Sequence, residues 1–358
     1  MTSRERIESA LSHREPDRTP LFEYVLLSPI ADQLLGRPYL DYAGDRERWV
    51  VAAQECGWER AVRQCATDRL DLAARLGHDM LYVKPNPAAT ATPEPASSPA
   101  GLTDDPVERV RQRNQHATRS LSPPPDEAFL IYHALKEEMA VRGLDLPILA
   151  PAYAHGVWND VDLMQTMLLE PEVAREHFSL ATRRTLGLIG KYLHLGIDQI
   201  GVGGDFAGNR PMISPGAYRE FIMPEVRALS RRIHEAGGWA INASDGDLWP
   251  VIDEFLLGCE VDGYLEIDQH AGMDLRRLKQ AYGDQITFYG NMDCGSLLTF
   301  GTEDEIRRAT IACLEAGLGN GGHIFCASNA ITASIPLANY VTMVNTYRDA
   351  VGLGRLSL

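Results

Sequence analysis

Gly238-Trp239-Ala240-Ile241-Asn242-Ala243-Ser244-Asp245-Gly246-Asp247 is a short apolar run that ends in an acid-rich turn. The same form recurs at Gln199-Ile200-Gly201-Val202-Gly203-Gly204-Asp205 and at Gly263-Tyr264-Leu265-Glu266. Long amphipathic stretches separate these runs. Buried strands that alternate with helices imply βα units on a parallel sheet. Reading outward, further runs lie at Pro20–Leu26, Asp79–Val83, Pro147–Ala150, Gln285–Tyr289 and Gly322–Cys326, which brings the total to eight. Eight units predict an α/β fold closed as a (β/α)₈ TIM barrel, with an open sheet as the alternative. The helices between have readable ends. Thr302-Glu303-Asp304-Glu305 forms a capping-box pattern, followed by Ile306, Ala309, Cys313 and Leu314 at helical spacing. Ser214-Pro215 opens another helix, with proline at the first helical position.

The chain has 358 residues, 45% of them apolar, enough for one barrel domain spanning 1–358. Pro85–Asp126 breaks the rhythm. It is rich in Pro, Ala, Ser and Thr, so it is expected to be a long loop after the second strand, either a mobile surface excursion or a lid over the barrel mouth. The net charge of −15 disfavours nucleic acid and anionic membrane surfaces as partners. No apolar run reaches the roughly 18 residues a spanning helix needs. The polar start Met1–Arg14 is unlike a secretory signal. The six cysteines are scattered, with no CxxC pair, which is expected of a cytoplasmic, reducing compartment.

Several segments, in order, resemble the uroporphyrinogen decarboxylase superfamily. Arg4-Glu5-Arg6-Ile7 with His13-Arg14-Glu15-Pro16-Asp17-Arg18-Thr19-Pro20 resembles the opening helix and the "PDRxP" turn of its methyltransferase branch. Ile213–Phe221, Ser244-Asp245-Gly246-Asp247, Val261-Asp262-Gly263, Gly290–Asp293 and Pro336–Tyr340 resemble later family motifs. The resemblance covers nearly the whole chain and implies a barrel with an N-terminal helical extension and its active site at the C-terminal mouth. It implies one of two chemistries: cofactor-free decarboxylation of porphyrinogen acetates, or methyl transfer between corrinoid proteins and thiols or other acceptors, often on zinc.

This chain departs from both signatures. The arginine-rich stretch that would bind porphyrinogen carboxylates is Phe22-Glu23-Tyr24-Val25-Leu26-Leu27 here. The zinc positions of the methyltransferases fall at Ala243, Asp245 and Asn329, so zinc is not expected there. Cys294 and Cys326 are read as small buried residues. The expected reaction is methyl transfer on a small molecule, with a corrinoid protein or a folate as carrier and a homodimer as a possible assembly. The alternatives are a decarboxylase or lyase on a small acid, and a non-catalytic ligand-binding barrel.

The strand ends supply the candidate residues. Asp245, Glu266, His155 and Asp205 are the expected catalytic groups, because carboxylates and imidazole move protons. Tyr24, Tyr153, Trp158, Asn209, Asn242, Ser244, Asn291 and Asn329 are the expected substrate-binding residues. Asp247 is read as a helix cap, and His270 and His323 as ordinary polar residues. The clustered acids could hold a divalent metal through oxygen, or a cationic substrate such as a quaternary amine against Tyr153 and Trp158.

Overall fold

The computed structural model describes residues 1–89 and 103–356. Seven strands are regular: β1 (Leu81–Tyr82), β2 (Ile148–Pro151), β3 (Gln199–Gly203), β4 (Trp239–Ala243), β5 (Gly263–Leu265), β6 (Thr287–Tyr289) and β7 (His323–Ile324). They pair in parallel in sequence order within one sheet. Helices run between consecutive strands, so the chain has the parallel α/β architecture of a TIM barrel.

The eighth expected strand, 20–26, is not regular. Its first residues nevertheless bond to both edges of the sheet. Phe22 N donates to Phe325 O, Phe325 N donates to Pro20 O, and Asp79 N donates to Leu21 O. Proline at position 20 has no N–H to give a ladder, and the pairing breaks after Phe22 before Val25–Leu27 bonds to Ile331, so no continuous strand forms.

Two apolar layers follow from the strand alternation. Phe22, Met80, Tyr82, Leu149, Ile241, Ala243, Leu265, Tyr289, Ile324 and Cys326 fill the inside of the sheet. Ile7, Ala10 and Leu11 of the opening helix, Ser3–Leu11, pack against them and plug the N-terminal end. A larger cluster lies between the sheet and the surrounding helices. The capping box at Thr302 and Glu305 is present, and Ser214 caps the helix that Pro215 opens.

Only part of the expected loop 85–126 is irregular. Residues 90–102 lie outside the described residues, while Pro106–Arg119 is a helix with Asp105 at its cap. Val107, Val110 and Asn114 are buried, and Arg109 and Arg113 pair with Asp162 and Asp160. This corrects the sequence reading. The low apolar content is concentrated on one helical face, which is enough to dock a helix.

Asp79 anchors the opening segment. Its side chain is fully buried and accepts hydrogen bonds from Arg6 Nη1 at 2.6 Å, Arg18 Nη1 at 2.7 Å and Leu21 N at 3.0 Å. Asp17 holds Arg6 from the other side at 2.7 Å. Removing one partner of a buried ion cluster leaves the others uncompensated. Asp79→Ala should therefore lose roughly 3–5 kcal/mol of stability by urea unfolding. A loss below about 1 kcal/mol, as for a surface pair, would contradict this role.

Candidate active site

Strand register brings the acids together. Gly203 pairs with Ala243, and Ala243 pairs with Leu265. Asp205 and Asp245 each lie two residues past these partners and Glu266 lies one past, so three carboxylates leave neighbouring strands at the same level. Their oxygens lie within 4.8 Å of one another.

The loops after β2 and β3 hold Asp205 backbone to backbone. Ala154 N and His155 N donate to Gly203 O, and Val157 N and Trp158 N donate to Asp205 O. A Cβ on Gly204 would stand 2.7 Å from Gly156 N, so only glycine allows this approach. Ser244 bridges the next loop: its hydroxyl accepts from Phe206 N at 3.4 Å and donates to Asp245 O at 3.0 Å. Asp245 N then donates to Asp205 Oδ1 at 3.2 Å. Asn329 Nδ2 reaches across and donates to Asp245 Oδ2 at 2.7 Å. Glu266 is nearly buried, at 7% exposure, and its φ of 73° is a left-handed conformation costly for a residue with a side chain.

Asp205, Glu266, Ala243, Tyr24, Tyr153 and Trp158 line one cleft of ≈ 420 Å³. No lysine or arginine is among its lining residues. The electrostatics follow. Burial pushes the Asp245 carboxyl up to about 6, with the charges of Asp205 and Asp268 adding to it and Asn329 opposing. Burial, then Asp245 and Asp205, raise Glu266 well above the usual carboxylate range, while the Tyr24 hydroxyl and Lys84 oppose. Burial also raises Asp205.

Other expected site residues are placed elsewhere. His155 is fully buried behind the loop, with Nε2 2.8 Å from Thr182 Oγ1 and its ring stacked on Phe178. Burial lowers it to about 4, so it is neither in the cleft nor poised to titrate near neutrality. Asn242 points outward, donating to Phe255 O at 3.0 Å and accepting from Ala243 N. Asn291 is buried against Cys313 and lines a different cavity. Asn209 is exposed on the loop after β3 and does not line the cleft. These are corrections: His155, Asn242 and Asn291 sit near strand ends with side chains engaged elsewhere, and Asn209 lies farther out on its loop. Asp247 caps its turn as expected, accepting from Trp249 N.

Tyr82 is a residue the sequence reading missed. It ends β1 on the inner face and packs edge-on against Tyr24 with ring centroids 4.5 Å apart; burial, and after it the Glu266 charge, raise its hydroxyl, while Tyr24 opposes. Inward alternation from Met80 was the available signal.

The positions matched to zinc ligands do converge, but their donors do not suit the metal. Ala243 offers no ligand atom, and Asn329 spends its amide on Asp245.

A parallel α/β barrel with such a mouth is an enzyme scaffold of many chemistries. The uroporphyrinogen decarboxylase (URO-D) family model matches residues 109–350, more than half of the chain, and the chain belongs to that family. A methyltransferase from Methanosarcina mazei shares the fold, with TM-score 0.69, 15% identity and coverage of 98% of this chain and 99% of that one. A 3-keto-D-glucoside 4-epimerase from E. coli (TM-score 0.37, 11% identity, 75% of this chain and 98% of that one) and a xylose isomerase-like TIM barrel protein from Mycobacterium smegmatis (TM-score 0.36, 14% identity, 93% and 98%) are more distant. No curated protein sequence matches the chain.

The raised carboxyls make the site a liability to folding. An unfolded Asp titrates near about 3.9, so the folded state binds more protons than the unfolded state between that pH and its own higher midpoint. Asp245 therefore lowers stability as pH rises from about 4 through about 6. Asp245→Asn should remove this penalty, gaining on the order of 1–3 kcal/mol over wild type at pH 7.5 and little at pH 4. Urea melts across that range decide it; parallel curves for variant and wild type would show that the carboxylate is compensated.

Proposed function

We propose that the chain is an enzyme that transfers a methyl group to or from a small molecule held at Asp205, Asp245 and Glu266. The observation that carries this reading is the convergence of three carboxylates, Glu266 buried and Asp205 and Asp245 half-buried, without a lining cation, at the C-terminal strand ends where barrel chemistry is sited. Membership of the family and the shared fold of the methyltransferase support it.

The division of labour follows from proton affinity. Glu266, the most buried, holds a proton near neutral pH and delivers it to, or recovers it from, the heteroatom that exchanges a methyl group. Ionised Asp205 and Asp245 face the positive charge that the heteroatom carries when methylated or protonated, on whichever side of the transfer that falls. Asn329 and Ser244 fix Asp245, and Tyr24, Tyr153 and Trp158 form the walls that exclude water. A corrinoid or folate carrier supplies or accepts the methyl group when bound. The cleft of ≈ 420 Å³ fits the small substrate and not a whole carrier, which would face it from the open side of the mouth. No step is assigned to zinc.

Decarboxylation of a small acid is the weaker reading, because a substrate carboxylate would meet the like charges of Asp205 and Asp245 and no arginine. On the same ground, uroporphyrinogen should not turn over; decarboxylated porphyrinogens formed at enzymatic rates would reverse that judgement.

The test is a methyl-transfer assay with reduced free corrinoid, or with tetrahydrofolate, against a panel of O-, N- and S-methylated small molecules. With any pair that turns over, Glu266→Gln and Asp245→Asn should each lower kcat by roughly 10²–10⁴-fold, and thermal stability should stay level or rise. Full activity in both variants, or loss of CO₂ from a small acid in place of methyl transfer, would overturn the assignment.

A further inference from the structure

The acidic cleft carries more than a place for proton transfer. Three carboxylates stand within 4.8 Å of one another. The groups facing them are Tyr24, Tyr82 and Lys84 from the opening segment and β1, Tyr153 after β2, and Tyr264 and Asp268 from β5 and its loop. Among these only Lys84 is cationic, and it is exposed. Carboxylates drawn partly out of water without a cation beside them call for a positive partner.

A second observation points to the kind of partner. Tyr24, Tyr153 and Trp158 line the cleft with the acids, so a ligand there meets ring faces as well as charge. Aromatic walls with carboxylates suit an organic cation, whose charge is spread over methyl groups. An inorganic ion would hold its waters instead. The hydroxyl of Tyr153, which lines the cleft, has no hydrogen-bond partner. An orphaned hydroxyl beside the acids is explained by a ligand that brings a hydrogen-bonding atom.

We propose that this cleft recognises a small methylated ammonium cation with an oxygen on a short arm, the ammonium lying between the carboxylates and the rings. This names the substrate class of the proposed methyl-transfer site and rests on that reading. Tyr153 is set for the role by Gly201, where a Cβ would stand 2.6 Å from the tyrosine ring. The loop that carries Trp158 is fixed by the backbone bond from Trp158 N to Asp205 O. Cation binding replaces protons on the carboxylates, so affinity should rise with pH and protons should be released.

The test is calorimetry on the full chain, without carrier, using choline and its uncharged isostere 3,3-dimethyl-1-butanol as probes. Choline should bind at least 10-fold tighter than the alcohol, weaken as pH falls from 8 to 5, and release protons, read from titrations in buffers of different ionisation enthalpy. Asp205→Asn and, as a variant with little structural burden, Trp158→Ala should each weaken choline binding several-fold. Equal binding of the two probes, no binding of either, or displacement of choline by millimolar MgCl₂ that itself binds tighter would overturn the proposal. Choline binding without any methyl transfer would leave this inference standing and sink the proposed function. Methyl transfer from uncharged ethers with no choline binding would do the reverse.

Discussion

Asp79 is the contact on which the rest of the molecule depends. A parallel sheet of seven strands has two open edges, and the opening segment must reach both. Its backbone gives few ladder bonds there, because Pro20 lacks an N–H and the pairing is broken between Phe22 and Val25. A buried carboxylate supplies what the ladder does not. It takes Arg6 and Arg18 and also the Leu21 N–H, and so fixes helix, turn and strand to β1 at one point. The motif residues Asp17 and Arg18 thus have a structural task at the end of the barrel opposite the chemistry, as expected of that face.

Closure at the bottom sets what happens at the top. Once Leu21 and Phe22 are fixed, Glu23 and Tyr24 follow at the mouth. Glu23 is buried, with Oε2 accepting from Ala327 N, and burial pushes it up to about 8. Tyr24 meets Tyr82 and faces Glu266. The inner layer beneath them is largely apolar, its buried Tyr289 hydroxyl spent on Gln199, so the polar mouth rests on a floor that offers the carboxylates no charge. That floor is why the carboxylates above it retain protons so strongly: one side of each is desolvated. Glu266 adds backbone strain to this burden. Unfavourable charge and an unfavourable φ at one position are the mark of a site held by its surroundings against local preference.

Much of this was legible in the sequence, for reasons that also mark where legibility stops. The runs at 199–202, 238–242 and 263–266 became β3, β4 and β5 because a strand covered on both faces is apolar throughout, and glycine and acids end it. Thr302, Ser214 and Asp247 cap as expected, since capping is a local hydrogen bond. The helix Pro106–Arg119 was hidden because composition averages over a segment, whereas docking needs only one face, here Val107 and Val110. His155, Asn242 and Asn291 share a different failure. Each stands at a strand end, but a residue's distance from the mouth does not fix the direction of its side chain. One step along a turn separates Ala154 and Gly156, which line the cleft, from His155, which is buried on Phe178.

Ala243, Asp245 and Asn329 carry the last step. They stand where the family resemblance places zinc ligands, and the 2.7 Å bond from Asn329 to Asp245 joins two of the three positions directly. The geometry of convergence is kept while the donors have changed. A thiolate and imidazole set gains its compensating charge from the metal. A carboxylate steadied by an amide gains none, and Asp205 and Glu266 beside it add to the deficit. On the proposed reading the missing positive charge arrives with the substrate. Acids in place of metal ligands and aromatic walls beside them then serve one end, the holding of a cation that the substrate itself brings.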